Sequence, residues 1–172
     1  MRGMSRTTYL SFSVLDYKGG SHMLDSLWPE IEPAAARPPV SILKEQGTLL
    51  GSKTNNLVEG KVESIPEPDE ATMGYSFYIV APVLGGYRYR LFTIEHDIRM
   101  YPVNFTLESE IMVDVDPEKY SRSTVKAMME RQRGVHTDTA NNEPEFLELL
   151  KKIFSAKKTR EIIAAILAQS KA

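Results

Sequence analysis

A short run of alternating tyrosines and arginines at residues 87–90 is the segment whose residue types best suit binding chemistry. An arginine guanidinium presents several N–H donors in a planar fork, a shape that suits phosphate and carboxylate groups. His96 and Tyr101 follow closely and add an imidazole and a phenol. We therefore predict five candidate binding residues, with no catalytic residue assigned: Arg88, Tyr89, Arg90, His96 and Tyr101.

These side chains need a strand to position them, because apolar and polar residues alternate through the segment. An unbroken alternation puts Tyr89 on one face of the strand and puts Arg88, Arg90 and His96 together on the other. Two arginines and an imidazole on an exposed sheet face can grip a phosphate backbone or the carboxylates of a partner. The alternative, which the sequence favours, is a solvated face on which the arginine stems cover apolar surface.

The residue types argue against a metal site. The chain has no cysteine and three scattered histidines, His22, His96 and His136, so neither a thiolate nor a histidine ligand set is expected. Asp114 and Asp116 share one face of a predicted short strand and can hold a hard cation. Solvation of an edge strand, with Asp116 also capping a helix, explains this pair better.

Residues 47–54 resemble a phosphate-binding loop in their glycines, lysine and threonine. That motif needs a glycine immediately before its lysine, whereas Ser52 precedes Lys53 here. A helical pattern also runs through the segment, and helical N–H groups are already bonded and cannot cradle a phosphate. We therefore predict no nucleotide and no other cofactor. Gly47 and Gly51 lie on one stripe of this helix, which indicates close packing against another element.

The hydrophobic pattern predicts a helix, then three to five antiparallel strands, then two or more helices. Helices are expected to begin at Pro39, Asp116, Asn142 and Ser155, and strands to occupy residues 57–65, 75–84, 87–95, 98–107 and 110–115. Gly85-Gly86 and His96-Asp97 are the expected turns. The fold class is therefore α+β: an antiparallel meander sheet of about four to five strands, with an N-terminal helix and C-terminal helices packed on one face.

The N-terminal segment has an unusual composition. Residues 20–23 spell Gly-Ser-His-Met, a string familiar from the junction between a vector and a start methionine. In front of them, residues 8–17 alternate between apolar and polar side chains, as a strand does. We therefore divide the chain into residues 1–22, a vector-derived or strand-like extension with a linker, and residues 23–172, a single α+β domain. If residues 8–17 are ordered, they are expected to add a strand to an open sheet edge.

The composition is that of a small globular protein: 172 residues, 42% hydrophobic and 26% charged, with a formal net charge of −2. That charge argues against the basic field of many nucleic-acid-binding domains, and no apolar run approaches the ~20 residues of a membrane-spanning helix. We predict a cytoplasmic, soluble interaction domain of bacterial type without a catalytic motif. Its expected partner is a protein or peptide rather than a nucleic acid or a membrane. An open sheet edge offers a place for a peptide strand or a second copy.

The alternative function is an RNA-directed nuclease or another hydrolase that uses a basic sheet face formed by Arg88, Arg90 and His96. The predicted hairpin at residues 87–107 resembles the sheet of small bacterial toxins that cut messenger RNA on the ribosome, in which basic residues lie on an antiparallel sheet beside helices. That resemblance implies an RNA substrate bound on the sheet. An enzyme requires the three side chains to converge in a concave site, whereas an interaction domain requires an apolar patch or an open strand edge.

Overall fold

The computed structural model describes residues 26–66, 71–120 and 138–171 of the chain. The chain divides into two compact units, Met1–Pro33 and Ala34–Ala172. In the first unit, the described residues 26–33 form neither helix nor strand. The predicted extension at residues 1–22, with its strand pattern and His22, lies outside the described residues, and so does His136. The helices and strands named below belong to the second unit.

A five-stranded antiparallel sheet forms the framework of the second unit, and its strands follow one another in chain order. Each strand pairs with the next in sequence, which is the predicted meander. Gly85 and Gly86 both have positive φ and lie in the predicted turn between the second and third strands. The second strand ends at Ala81 and not at Leu84 as predicted, because Pro82–Leu84 form a short 3-10 helix that belongs to the connection. The strands are β1 (Glu59–Ile65), β2 (Thr72–Ala81), β3 (Tyr87–Asp97), β4 (Val103–Leu107) and β5 (Asp138–Ala140).

Four helices accompany the sheet in the described part of the chain: α1 (Pro39–Lys53), α2 (Ser109–Val115), α3 (Glu143–Ser155) and α4 (Lys157–Ser170). Pro39 begins α1, where the N–H that proline lacks would have no helical partner. Asn142 caps α3 as predicted, because its side chain accepts the Glu145 N–H. With one helix before the sheet and a C-terminal pair after it, the predicted α+β fold class is confirmed.

The core lies against one face of the sheet, called here the inner face. Five inner-face side chains are at most 2% exposed: Phe77, Ile79, Phe92, Ile94 and Phe105. The rings of Phe77 and Phe92 stack with centroids 5.2 Å apart and an interplanar angle of 4°. Phe105 packs against Phe146 of α3 with ring centroids 5.4 Å apart. Ring pairs of this kind add roughly 0.5–1.5 kcal/mol to the gain from area burial. The opposite side of the sheet is called the outer face.

Residues 110–115 belong to α2 and do not form the predicted strand. Ile111 and Met112 are adjacent and both fully buried, which a helix facing a core allows and a half-buried strand does not. The predicted helix at Asp116 is a turn over residues 117–119, and its predicted continuation lies outside the described residues. Asp116 follows the end of α2 and begins this turn: its side chain accepts the Lys119 N–H and its backbone carbonyl accepts the Tyr120 N–H, both at 2.9 Å.

The N-terminus of α4 is capped from another helix. Ser155 ends α3 and is not the predicted cap, since Ala156 occupies the N-cap position of α4. Asp114 of α2 accepts the Lys158 N–H at 2.8 Å, and Glu110 forms an ion pair with the Lys158 ammonium. Negative charge beside a helix N-terminus is favourable. Asp114 is therefore a helix cap and not half of a strand-face carboxylate pair.

The turn between β3 and β4 comes later than the sequence predicted. β3 continues through Asp97, and His96 pairs with Met73 of β2, so the predicted turn at His96-Asp97 is wrong. The chain turns over residues 98–102 instead, where Met100 has a positive φ of 72°. β3 is therefore longer than predicted, and His96 lies in this strand and not in the turn.

Helix α1 lies directly against β1 at a pair of glycines. A Cβ added at Gly47 would lie 2.4 Å from the carbonyl oxygen of Gly60, well inside van der Waals contact. The predicted close packing is therefore confirmed at Gly47. Gly51 is less tightly enclosed, because a Cβ there would first meet the side-chain oxygen of Asn56, at 3.1 Å.

Candidate functional site

A β-bulge in β3 determines which way the candidate residues point. Phe77 of β2 pairs with Phe92, and the next residue of β2, Tyr78, pairs with Arg90. Leu91 is therefore the extra residue of the bulge, and it is fully buried. Because one residue is inserted, the alternation of faces before the bulge is shifted relative to the alternation after it.

The bulge divides the predicted site between two faces of the sheet. Arg88 and Arg90 lie on the outer face, where Arg90 is opposite Tyr78, whereas His96 lies on the inner face opposite Met73. The prediction that Arg88, Arg90 and His96 share one face is therefore wrong. Along β3, Arg88 and His96 are also separated by roughly 26 Å, at about 3.3 Å per residue. The three side chains do not converge in a concave site.

A row of three outer-face side chains runs across the first three strands: Lys61, Tyr78 and Arg90. Arg88 lies over this row, with its guanidinium carbon 4.3 Å from the centroid of the Tyr78 ring. An arginine in this position is attracted to the π face of the ring. Arg88 also donates to a Glu63 carboxylate oxygen at 2.5 Å. We call Lys61, Glu63, Tyr78, Arg88 and Arg90 the arginine patch.

The cations of the arginine patch differ in whether they have hydrogen-bond or ion-pair partners. The hydrogen bond to Glu63, together with its negative charge, raises the pKa of Arg88 above its usual value. Arg88 is thus held between a carboxylate and an aromatic ring. Lys61 and Arg90 are exposed, and neither has a hydrogen-bond or ion-pair partner among the described residues. The patch therefore presents two exposed cations on either side of an ordered Tyr78–Arg88 pair.

Tyr89 connects the sheet to α2. Its ring lies on the inner face opposite Ile79, and its hydroxyl donates to the carboxylate of Glu108, the residue that precedes α2. Burial raises the pKa of Tyr89, and the hydrogen bond to Glu108 raises it further. Tyr89 therefore links β3 to α2, and it lies on the opposite face of the sheet from the arginine patch.

His96 is a buried histidine within the sheet. It is 6% exposed, and its ring stacks on Tyr75 with centroids 5.9 Å apart. Nδ1 lies 2.7 Å from the backbone carbonyl oxygen of Asp97, so we assign the proton to Nδ1. Nε2 is buried, and no residue in the described ranges hydrogen-bonds to it. This location gives His96 the role of a core side chain.

Tyr101 lies in the turn before β4 and contacts two other elements. Its hydroxyl donates to the backbone carbonyl of Arg37 at 3.2 Å, and its ring meets Phe146 edge-on at 6.2 Å. Arg37 in turn donates from its Nε to Glu143 at 2.8 Å and from Nη1 to Glu45 at 3.2 Å. Burial is the main cause that raises the pKa of Tyr101. Tyr101 thus holds the start of α1 near the start of α3.

Three members of the arginine patch were missed by the sequence analysis: Lys61, Glu63 and Tyr78. Each lies on a predicted strand, and the charged residues alternating along β1 were a visible sign of an outer face. Only the register of β1 and β2 against β3 brings them beside the arginines. Register depends on partner strands and is not contained in any single segment.

The chain matches no protein-family model, no curated protein and no solved structure. In the described residues, no group of three or more histidines, aspartates and glutamates is arranged to hold a metal ion. No helix over the same ranges is long and apolar enough to cross a bilayer. The arginine patch is the surface among the described residues whose side chains best suit binding a partner.

Proposed function

We propose that this chain is a binding domain that takes an acidic segment of a protein or peptide on the arginine patch. The observation that supports this most is the row Lys61–Tyr78–Arg90, in which both cations lack a partner among the described residues. Arg88, held over Tyr78, adds a fixed aromatic and guanidinium surface between them. Carboxylates are the natural complement to such donors.

The spacing of the two cations suggests the form of the partner. Lys61 and Arg90 lie on the strands that flank β2, so their backbones are roughly 10 Å apart at about 4.8 Å per strand. Side chains on one side of an extended peptide repeat every two residues, or about 7 Å. Two acidic residues separated by two to four positions therefore suit the patch.

The charges around the patch favour a protein partner over a nucleic acid. Glu59, Glu63 and Glu95 lie on the same outer face, and the formal net charge of the chain is −2. A phosphate backbone carries a charge on every nucleotide and would meet these carboxylates. A short acidic segment can place its few carboxylates at Lys61 and Arg90 alone.

The unpaired edge of β1, on the side away from β2, offers a second way to bind a peptide, or a second copy of the chain. Within the described ranges, no strand pairs with β1 on the side away from β2. Glu59, Lys61 and Glu63 alternate with other residues along this strand, and such charges guard an edge against unselective pairing. An added strand is expected to carry an acidic residue opposite Lys61 and basic residues opposite the glutamates.

The proposal is tested with a fluorescent short peptide that has glutamates on both sides of a phenylalanine, and with the same peptide carrying glutamines. We expect the glutamate peptide to bind more tightly and to lose affinity as salt is added. Lys61→Met combined with Arg90→Gln should weaken it by roughly tenfold, if each exposed contact is worth a few-fold. Arg160→Gln, which removes an exposed arginine of α4, is the matched control and should have no effect.

Equal binding of the two peptides, or binding unchanged in the double variant, would contradict the proposal. Tighter binding of single-stranded oligouridine than of the glutamate peptide would favour a nucleic-acid partner instead. Amide hydrogen exchange separates the two binding modes, because strand addition protects the β1 amides whereas binding on the outer face leaves them unchanged.

A further inference from the structure

A cleft opens between α1 and the C-terminal helices, on the inner-face side of the sheet. Its volume is about 190 Å³. Phe77 and Ile79 of β2 form its floor, and Phe154 of α3 and Ile163 of α4 line it opposite α1. The cleft is therefore apolar at its base, and it lies on the other side of the sheet from the arginine patch.

One stripe of α1 lines the near side of the cleft. The spacing of three and four residues puts these side chains on one face of the helix: Gln46, Leu49, Leu50 and Lys53. Leu49 is 44% exposed, which is high for the apolar stripe of a packed helix. Gln46 and Lys53 add an amide and an ammonium to a lining that is otherwise apolar.

The floor of the cleft is held in place by aromatic packing. The Phe77 ring stacks on Phe92 at 5.2 Å and packs against Phe154 at 5.6 Å, with ring planes tilted by 49°. Both Phe77 and Ile79 are only 1% exposed. A ligand can therefore touch the floor only slightly, and its contact area comes from the walls, where Leu50, Phe154 and Ile163 are partly exposed.

The polar groups of the cleft are the part that selects a ligand. Over the described ranges, neither Gln46 nor Lys53 has a hydrogen-bond or ion-pair partner. The two groups lie roughly 10 Å apart along the helix axis, and the Lys53 ammonium, with three donors and a positive charge, is the stronger partner for a carboxylate. An apolar base with donors near its opening is complementary to a molecule with one apolar end and one anionic end.

We infer that the cleft binds a small amphipathic carboxylate, such as a medium-chain fatty acid, with its chain between Leu50, Phe154 and Ile163 and its carboxylate at Lys53. The volume of about 190 Å³ is smaller than the roughly 300–1,000 Å³ of sites for drug-sized molecules. It suits a chain of roughly six to ten carbons. This inference is independent of the binding proposed for the arginine patch.

The test is a titration of the full chain with sodium octanoate and, separately, octan-1-ol, followed by the NMR signals of labelled leucine and isoleucine methyl groups. We expect octanoate to shift the methyl signals of Leu49, Leu50, Ile79 and Ile163, with a Kd of about 1 mM, which is ordinary for a ligand of this size. Octan-1-ol, which has the same chain and no charge, should bind several-fold more weakly.

Lys53→Met tests the role assigned to the ammonium. It should reduce octanoate affinity by about two- to fivefold, the range of one exposed ion pair, and leave octan-1-ol binding unchanged. Lys44→Met, at an exposed lysine of α1 outside the cleft, is the control and should leave both affinities unchanged.

Equal affinity for octanoate and octan-1-ol, or unchanged octanoate binding in Lys53→Met, would overturn the inference. So would shifts confined to methyl groups outside the cleft, or no saturable binding. Arg90→Gln should leave octanoate binding intact, so failure at the arginine patch and failure at the cleft are told apart.

Discussion

Arg88 and Arg90 are neighbours on the same face of β3, yet their guanidinium groups are engaged differently. Arg88 is bound to Glu63 and covers the Tyr78 ring. Arg90 lies across from Tyr78 without a partner among the described residues. At the level of single residues, Arg88 therefore orders the surface and Arg90 supplies donors for an anion.

Phe77 and Tyr78 are adjacent in β2 and test the assignment of the two faces. Phe77→Ala removes a ring that is 1% exposed and should lower the free energy of unfolding by about 3–5 kcal/mol. Tyr78→Ala on the outer face should lower it by about 1 kcal/mol, chiefly through the loss of the Arg88 contact. Urea denaturation measures both, and similar losses for the two variants would show that β2 does not face the core as described.

Tyr89 should make the fold sensitive to alkaline pH. Its pKa is raised in the folded state, mainly by burial and then by Glu108. The stability this provides is fully present below about pH 10, where tyrosines of the unfolded chain begin to ionise, and it is lost as pH rises further. Tyr101 and Tyr120 have raised pKa values as well and contribute in the same direction.

Tyr89→Phe isolates the contribution of this hydroxyl. At pH 7 the variant should lose about 1 kcal/mol, because one hydrogen bond is missing. Above about pH 10 its free energy of unfolding should fall less steeply with pH than that of the wild type. Parallel curves in urea denaturation between neutral and alkaline pH would show that Tyr89 titrates alike in the folded and unfolded chains.

At the level of elements, the contact between α1 and β1 depends on two glycine backbones. Gly47 faces Gly60 so closely that even a methyl group at either position would overlap the other. α1 therefore lies close against β1, at the edge of the sheet that also carries Lys61 and Glu63.

Gly47→Ala and Gly51→Ala form a matched pair on the same helix. Gly47→Ala forces the Cβ against the Gly60 carbonyl and should cost about 1–3 kcal/mol, as overpacking does. Gly51→Ala meets a side chain that can move, and alanine favours the helix by up to about 1 kcal/mol, so stability should be unchanged or slightly higher. Thermal unfolding of both variants checks this, and a tolerated Gly47→Ala would mean that the helix and strand are further apart.

The starts of two helices and one turn were predicted correctly, because proline, asparagine and glycine have specific backbone preferences at such positions. Pro39 and Asn142 marked the starts of α1 and α3, and Gly85-Gly86 marked a turn that needs positive φ. The segment at residues 110–115 was predicted to be a short strand, but it is a helix whose adjacent residues Ile111 and Met112 both pack in the core.

The candidate site was less predictable than the elements. The residues of the arginine segment were identified, but the bulge at Leu91 exists only relative to β2, and alternation in one strand cannot reveal it. For the same reason, Lys61 and Tyr78 could not be placed beside Arg90 before the register was known. Because the sequence prediction did not include the extra residue Leu91, it placed His96 on the same face as Arg88 and Arg90.

At the level of the whole second unit, the inner face of the sheet depends on the C-terminal helices for cover. Phe146 packs on Phe105, and Phe154 packs on both Phe77 and Phe92. Asp114 and Glu110 additionally attach α2 to the start of α4. The helices are therefore part of one core with the sheet and not an appendage.

Deletion of residues 143–172 should expose this inner face and give an aggregating product. Deletion of residues 171–172 alone is the control and should leave a cooperatively folding protein, because these residues follow α4. Solubility and urea denaturation compare the two truncations. A soluble, cooperatively folding product from the larger deletion would show that the sheet is stable without α3 and α4.

The position of the bulge is tested most directly by cross-strand NMR contacts between the backbones of β2 and β3. The structure predicts nuclear Overhauser effects that join Tyr78 to Arg90 and Ile79 to Tyr89, with Phe77 beside Phe92. This register puts Arg88 and Arg90 on the outer face and His96 on the inner face. Contacts that join Tyr78 to Leu91 and Ile79 to Arg90 would show an unbroken register, return the arginines to the face of His96, and contradict the arginine patch.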